Sequence, residues 1–142
     1  MSQEPRDGTH HALVVDDDAL ILMEATDILE DAGFEVLEAM NVAQALQALD
    51  QNHDRVQLLF TDVHMPGDAD GFALARRVSE RWPHIAVVVA SGQAEPGPGD
   101  LPDGATFIAK PFSAEIVRHH VRKTLPDEKH PEPLRNGNRA RN

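Results

Sequence analysis

The chain contains no cysteine, which excludes disulfides, zinc–thiolate centres and thiol chemistry. It is short of basic residues, with 13 Lys+Arg against 24 Asp+Glu and a formal charge of −11. Direct nucleic-acid binding needs a basic footprint, so none is expected. A cation or a basic partner surface suits this balance better. Long apolar runs are also missing. The longest, Ile85 to Ala90, falls far short of the ~20 residues of a transmembrane helix, so no membrane insertion is expected. Met1 to His11 is polar and has no signal-peptide core, and the expected location is cytoplasmic.

What is there is one domain. A chain of 142 residues is long enough for a sizeable core and too short for two ordinary ones. Residues 1–9 lack periodicity and read as a disordered tail. Residues 126–142 hold three prolines and no sustained apolar pattern, so they too are expected to stay disordered, leaving 10–125 as the folded unit. Inside it, short apolar runs alternate with longer segments of 3.6-residue period. The runs Ala12–Val15, Phe34–Met40, Val56–Thr61, Ile85–Ala90 and Ala105–Ala109 read as strands. Ala19–Ala32, the stretch capped by Asn41, Phe72–Trp82 and the stretch capped by Ser113 read as helices. Near-continuously apolar strands alternating with helices predict an α/β protein with a parallel sheet covered on both faces.

In such sheets the reactive edge lies beyond the carboxyl ends of the strands. There the first strand supplies Asp16 and Asp17, the third Asp62, the fourth Ser91 and the fifth Lys110. Converging carboxylates repel unless a cation sits among them, and oxygen donors of this kind suit Mg²⁺, with Mn²⁺ as a substitute. Alone, the run Asp16-Asp17-Asp18 reads as a solvated helix start favoured by the dipole. With Asp62 and Lys110 at their spacing, a site for phosphoryl transfer is the stronger reading: the cation and ammonium neutralise phosphoryl oxygens while a carboxylate attacks phosphorus. The paired histidines His10-His11 and His119-His120 lack the i, i+4 spacing of helix-borne ligands. None is expected to carry phosphate.

The segments Leu13-Val14-Val15-Asp16-Asp17, Leu58 to Pro66, Asp70-Gly71, Val88 to Gly92 and Lys110-Pro111-Phe112, in this order, resemble the receiver domain of two-component response regulators, over about residues 11–125. That resemblance implies a flavodoxin-like doubly wound (βα)5 fold with strand order 2-1-3-4-5. It implies Asp62 as phosphoacceptor, Lys110 and Ser91 as phosphoryl-binding groups, and a metal site of Asp16, Asp17, Asp62 and the backbone carbonyl of His64. Phe107 occupies the switch-aromatic position. A histidine kinase or histidine phosphotransfer protein is the implied donor, with an unknown downstream protein as target. The chain is then a stand-alone signalling protein rather than an enzyme, with self-phosphorylation from small phosphodonors and slow autodephosphorylation.

Four features depart from the family pattern. The acidic pair is Asp16-Asp17 if the strand stops at Val15, but Asp17-Asp18 is open. The loop after Met65-Pro66 is one residue longer than the commonest form, and His64 stands where Asn is frequent. Gly92 to Gly104 holds three prolines and four glycines. Pro costs ~3 kcal/mol and Gly ~1 in a helix interior, so the fourth helix is expected to be short or replaced by a loop. Two other readings remain: an aspartyl-phosphate hydrolase of the haloacid-dehalogenase type, lacking its Asp-x-Asp motif at Asp62, and a receiver-like binding module that is never phosphorylated.

Overall fold

The computed structural model describes residues 10–65, 70–92, 95–126 and 129–134. Five strands and four helices lie along the described residues, alternating as far as the fourth strand. They are β1 (His11–Val15), α1 (Ala19–Asp31), β2 (Glu35–Ala39), α2 (Val42–Asn52), β3 (Val56–Asp62), α3 (Gly71–Arg81), β4 (Ala86–Ser91), β5 (Thr106–Ala109) and α4 (Ala114–Thr124). The strands form one parallel sheet in the order β2-β1-β3-β4-β5, which is the expected 2-1-3-4-5 arrangement.

Strand alternation sorts the core into two layers. Ala12, Val14, Leu58, Phe60, Val88 and Ile108 face α1 and α4. Leu13, Val15, Leu59, Val87 and Val89 face α2 and α3, where Ala45, Leu49, Leu74 and Val78 close over them. β1 is buried along its whole length, as expected of an interior strand covered on both faces.

Each helix begins where a side-chain oxygen meets free backbone N–H groups. Asp18 accepts from Leu20 and Ile21, Asn41 from Gln44, Asp70 from Ala73 and Ser113 from Ile116. Asp18 is therefore committed to capping α1, which leaves Asp16 and Asp17 as the pair at the end of β1.

Among the described residues no helix lies between β4 and β5, in keeping with the prolines and glycines there. Instead, the Gly97 amide donates to Asp100 Oδ2 at 2.7 Å and Arg76 of α3 donates to the Asp100 carbonyl at 3.0 Å. Leu101 packs against the α2/α3 layer.

The expectation that everything after 125 lacks structure does not hold for 129–134. There His130, Pro131 and Leu134 are buried, with Leu134 joining the apolar layer between the sheet and α1 and α4. The expectations for residues 1–9, for the lengthened loop at 66–69 and for 135–142 lie outside the described residues. No helix among the described residues is long and apolar enough to cross a membrane.

The cap assignment is testable. Asp18→Ala is expected to cost about 1 kcal/mol in urea denaturation, from loss of the α1 cap, without weakening divalent-cation binding. A variant that loses cation binding would return Asp18 to the acidic pair.

Candidate functional site

The sheet register gathers the site. Val15 pairs with Thr61, which sets Asp16 level with Asp62 on the adjacent strand. Asp62 pairs with Ala90, Ser91 with Ala109, and Lys110 follows directly. With neighbouring strands ~4.8 Å apart, these residues project from one edge.

Lys110 Nζ donates to Asp62 Oδ1 at 2.8 Å and to Asp16 Oδ2 at 3.0 Å. Asp16 and Asp62 are buried, at 4% and 7% exposure, whereas Asp17 is exposed. One carboxylate oxygen from each of Asp16, Asp17 and Asp62 lies within 4.8 Å of the others. The Lys110 amide donates to the Ser91 carbonyl at 2.9 Å, which ties β4 to the lysine. The Lys110–Pro111 peptide is cis.

Magnitudes show what such a cluster needs. At an effective dielectric of about 20, two unit charges 4.8 Å apart repel by about 3–4 kcal/mol. Three carboxylates are thus a standing electrostatic cost. One ammonium offsets it for Asp16 and Asp62 and leaves the ionised cluster with two net negative charges.

Burial is the largest influence on the Asp16 carboxyl and raises it above its ordinary range. The Asp18 amide and Lys110 pull it down, and Asp62 pushes it up. Burial is also the largest single influence on Lys110 and lowers it. The bonds to Asp62 and Asp16, with their charges, together outweigh that, and the ammonium is held above its ordinary range. Three hard oxygen donors with two charges unmatched fit a small divalent cation.

Backbone packing fixes the Asp62 position. The Thr61 hydroxyl donates to the Asp62 carbonyl at 2.9 Å, and the Gly71 amide donates to the Val63 carbonyl at 2.8 Å. Any Cβ on Gly71 would overlap the Asp62 carbonyl oxygen and come within 2.9 Å of Val63 Cα. Gly71 is therefore the residue that lets α3 abut the end of β3. The sequence shows Asp70-Gly71, but no local signal reveals which backbone approaches it.

The remaining candidates fall as follows. Ser91 is buried at the end of β4. His64 is exposed, two residues beyond Asp62. Phe107 is half-buried on β5 against the α2/α3 layer, paired with Val89 rather than within the carboxylate cluster.

The strand order and the edge site place the chain among flavodoxin-like α/β proteins. The profile of the response regulator receiver domain matches residues 12–122. The chemotaxis protein CheY of Bacillus subtilis is 34% identical over 120 residues, covering 82% of this chain and 98% of CheY. The two-component response regulator ORR27 of Oryza sativa is 34% identical over 112 residues, covering 78% of this chain but only 18% of that protein. A solved receiver domain protein from Clostridium thermocellum superposes with a TM-score of 0.71 at 26% identity, covering 84% of this chain and 97% of that one. The chain belongs to the response regulator receiver domain family.

Two measurements probe this geometry. Without divalent cations, wild type is expected to lose stability relative to Asp16→Asn as pH rises above about 3.8, the ordinary Asp value. The unfolded chain then ionises Asp16 before the folded one does, and the loss levels off once the folded group ionises. Urea denaturation in EDTA reads this, and a flat or rising difference contradicts it. Gly71→Ala is expected to cost about 1–3 kcal/mol, because the helix start must shift away from β3. A value indistinguishable from wild type contradicts the close approach.

Proposed function

We propose that the chain is a cytoplasmic receiver that accepts a phosphoryl group on Asp62. The observation that carries this reading is the Lys110 ammonium shared between Asp62 and Asp16, with Asp17 beside them, at the ends of separate strands. Asp16, Asp17 and Asp62 are the side chains that would hold Mg²⁺ or Mn²⁺, with the His64 carbonyl as the further ligand that family resemblance implies. When bound, the cation neutralises charge on the phosphoryl oxygens.

The chain's own residues supply the rest. An Asp62 carboxylate oxygen attacks phosphorus, the donor's P–N bond breaks, and the electron pair stays on the leaving imidazole nitrogen. Lys110 exchanges its contact with Asp62 for a phosphoryl oxygen. Ser91, one residue past the Asp62–Ala90 pair, turns its hydroxyl toward the same group. Family membership supports a histidine kinase or a histidine phosphotransfer protein as donor.

The added charge of about −1.5 to −2 then shifts the balance of surface conformations, with Ser91 and Phe107 as the moving residues. Output passes to a downstream protein. Since residues 95–105 carry no helix, the surface beside β4 and β5 differs from that of a fully helical receiver, and so does the partner that reads it.

The test is Mg²⁺-dependent labelling with acetyl phosphate, followed by intact-mass and peptide mass spectrometry. One phosphoryl group per chain on Asp62 is expected, absent from Asp62→Ala. Lys110→Ala is expected to label about a hundredfold more slowly. An adduct that persists in Asp62→Ala overturns the assignment. Absence of labelling in wild type favours an unphosphorylated binding module, and turnover of an added phosphomonoester favours a hydrolase.

A further inference from the structure

Beyond α4 the chain folds back onto the domain, outside the span that matches the family. His130 is 5% exposed. Its Nε2 lies 3.1 Å from the Arg122 carbonyl and 2.9 Å from the Leu125 carbonyl. An N–H at that nitrogen serves carbonyls where the helix end leaves such groups without intrahelical partners. Leu134 is fully buried in the apolar layer shared by α1 and α4, and Arg122 Nη1 donates to its carbonyl at 3.4 Å. Pro131 lies against Gly33, where an added Cβ would sit 2.6 Å from Pro131 Cβ. Gly33 has φ of 103°, so it meets two demands at once: the left-handed turn after α1 and room for the returning segment. Lys129 Nζ donates to the His84 carbonyl at 3.0 Å, reaching the start of β4.

The opposite end of α4 leads to the carboxylate–lysine site. Only Pro111, Phe112 and Ser113 separate Lys110 from the helix. Phe112 belongs to the same apolar layer as Leu134 and meets Phe60 edge to face, with ring centroids 5.5 Å apart. A helix of 11 residues, about 16 Å long, thus has the returning segment at one end and the site lysine at the other.

We propose that residues 129–134 form a strap that clamps α4 and, through it, sets how firmly Lys110 is held between Asp62 and Asp16. Short surface segments open more readily than the whole fold. When this one opens, α4 loses its C-terminal carbonyl partner and its apolar plug together. The helix then loosens toward Phe112 and Lys110, while β1 and β3, anchored by the sheet, stay closed.

Amide hydrogen exchange by NMR on the full, cation-free chain tests the strap directly. In both Leu134→Ala and His130→Ala, the amides of α4 and of Lys110, which donates to Ser91, are expected to exchange about tenfold faster than in wild type. The Asp16 amide, bonded to Ala39, is expected to change by less than about threefold. An unchanged Lys110 amide overturns the proposal. So does equal acceleration at Asp16, which would make Leu134 an ordinary core residue. If Leu134→Ala fails to fold, His130→Ala makes the same comparison. The functional consequence rests on the phosphoacceptor reading: the Asp62 adduct is expected to decay at a rate differing by about threefold or more between wild type and His130→Ala. Equal decay overturns that consequence, whereas absence of an adduct in wild type counts against the phosphoacceptor reading and leaves the exchange comparison to decide the clamp.

Discussion

One ammonium held between two buried carboxylates is the constraint around which this molecule is organised. Lys110 reaches Asp62 and Asp16 at 2.8 and 3.0 Å, and neither acid is open to bulk water. Without the lysine, two buried negative charges would face each other in a weakly screening environment, and one would have to take up a proton. With it, the pair is tolerated while Asp17 adds a charge that nothing in the cluster matches. The site is stable enough to form and still short of positive charge, which is the condition under which a divalent cation is drawn in.

That balance depends on register more than on any single contact. Asp62 stands opposite Ala90, Ser91 opposite Ala109, and Asp16 and Lys110 each lie one residue past a paired strand position. Reversing the facing of one strand by a single-residue slip would turn its site residue to the other side of the sheet. The two apolar layers enforce the register, because the same slip would force side chains fitted to the α1/α4 layer into the α2/α3 layer and the reverse. Gly71 adds a local constraint by letting α3 start against the peptide that carries Asp62.

Much of this was legible from residue order. The interior strands β1, β3 and β4 show as apolar runs, and a parallel sheet buried on both faces demands that pattern, whereas the edge strand β2 carries the exposed Glu35 and Glu38. Once strands are assigned, their carboxyl ends name Asp16, Asp17, Asp62, Ser91 and Lys110 without further information. Proline and glycine at 92–104 foretell, for the same local reason, that the described residues between β4 and β5 carry no helix. Other features depend on contacts that residue order does not spell out. Three consecutive aspartates leave the acidic pair ambiguous until Asp18 is seen bonding the amides of Leu20 and Ile21. The strap reads as a polar, proline-rich tail because its buried residues, His130, Pro131 and Leu134, are interrupted by exposed ones. Their binding surface is Gly33, far back in the chain, and the carbonyl end of α4 just before them. Gly33 carries a helix-terminating signal, and nothing local says that Pro131 will fill the space above it.

The most direct measurement of the central claim is a crystal structure of the full chain grown with Mg²⁺ and beryllofluoride, a stable mimic of a phosphoryl group on a carboxylate. The expected result is beryllium bonded to an Asp62 oxygen, a cation contacted by Asp17 and Asp62, and Lys110 Nζ moved from the Asp62 carboxylate onto a fluorine. A beryllofluoride group on any other side chain, or a Lys110 still bridging Asp62 and Asp16 beside a bare Asp62, would contradict it.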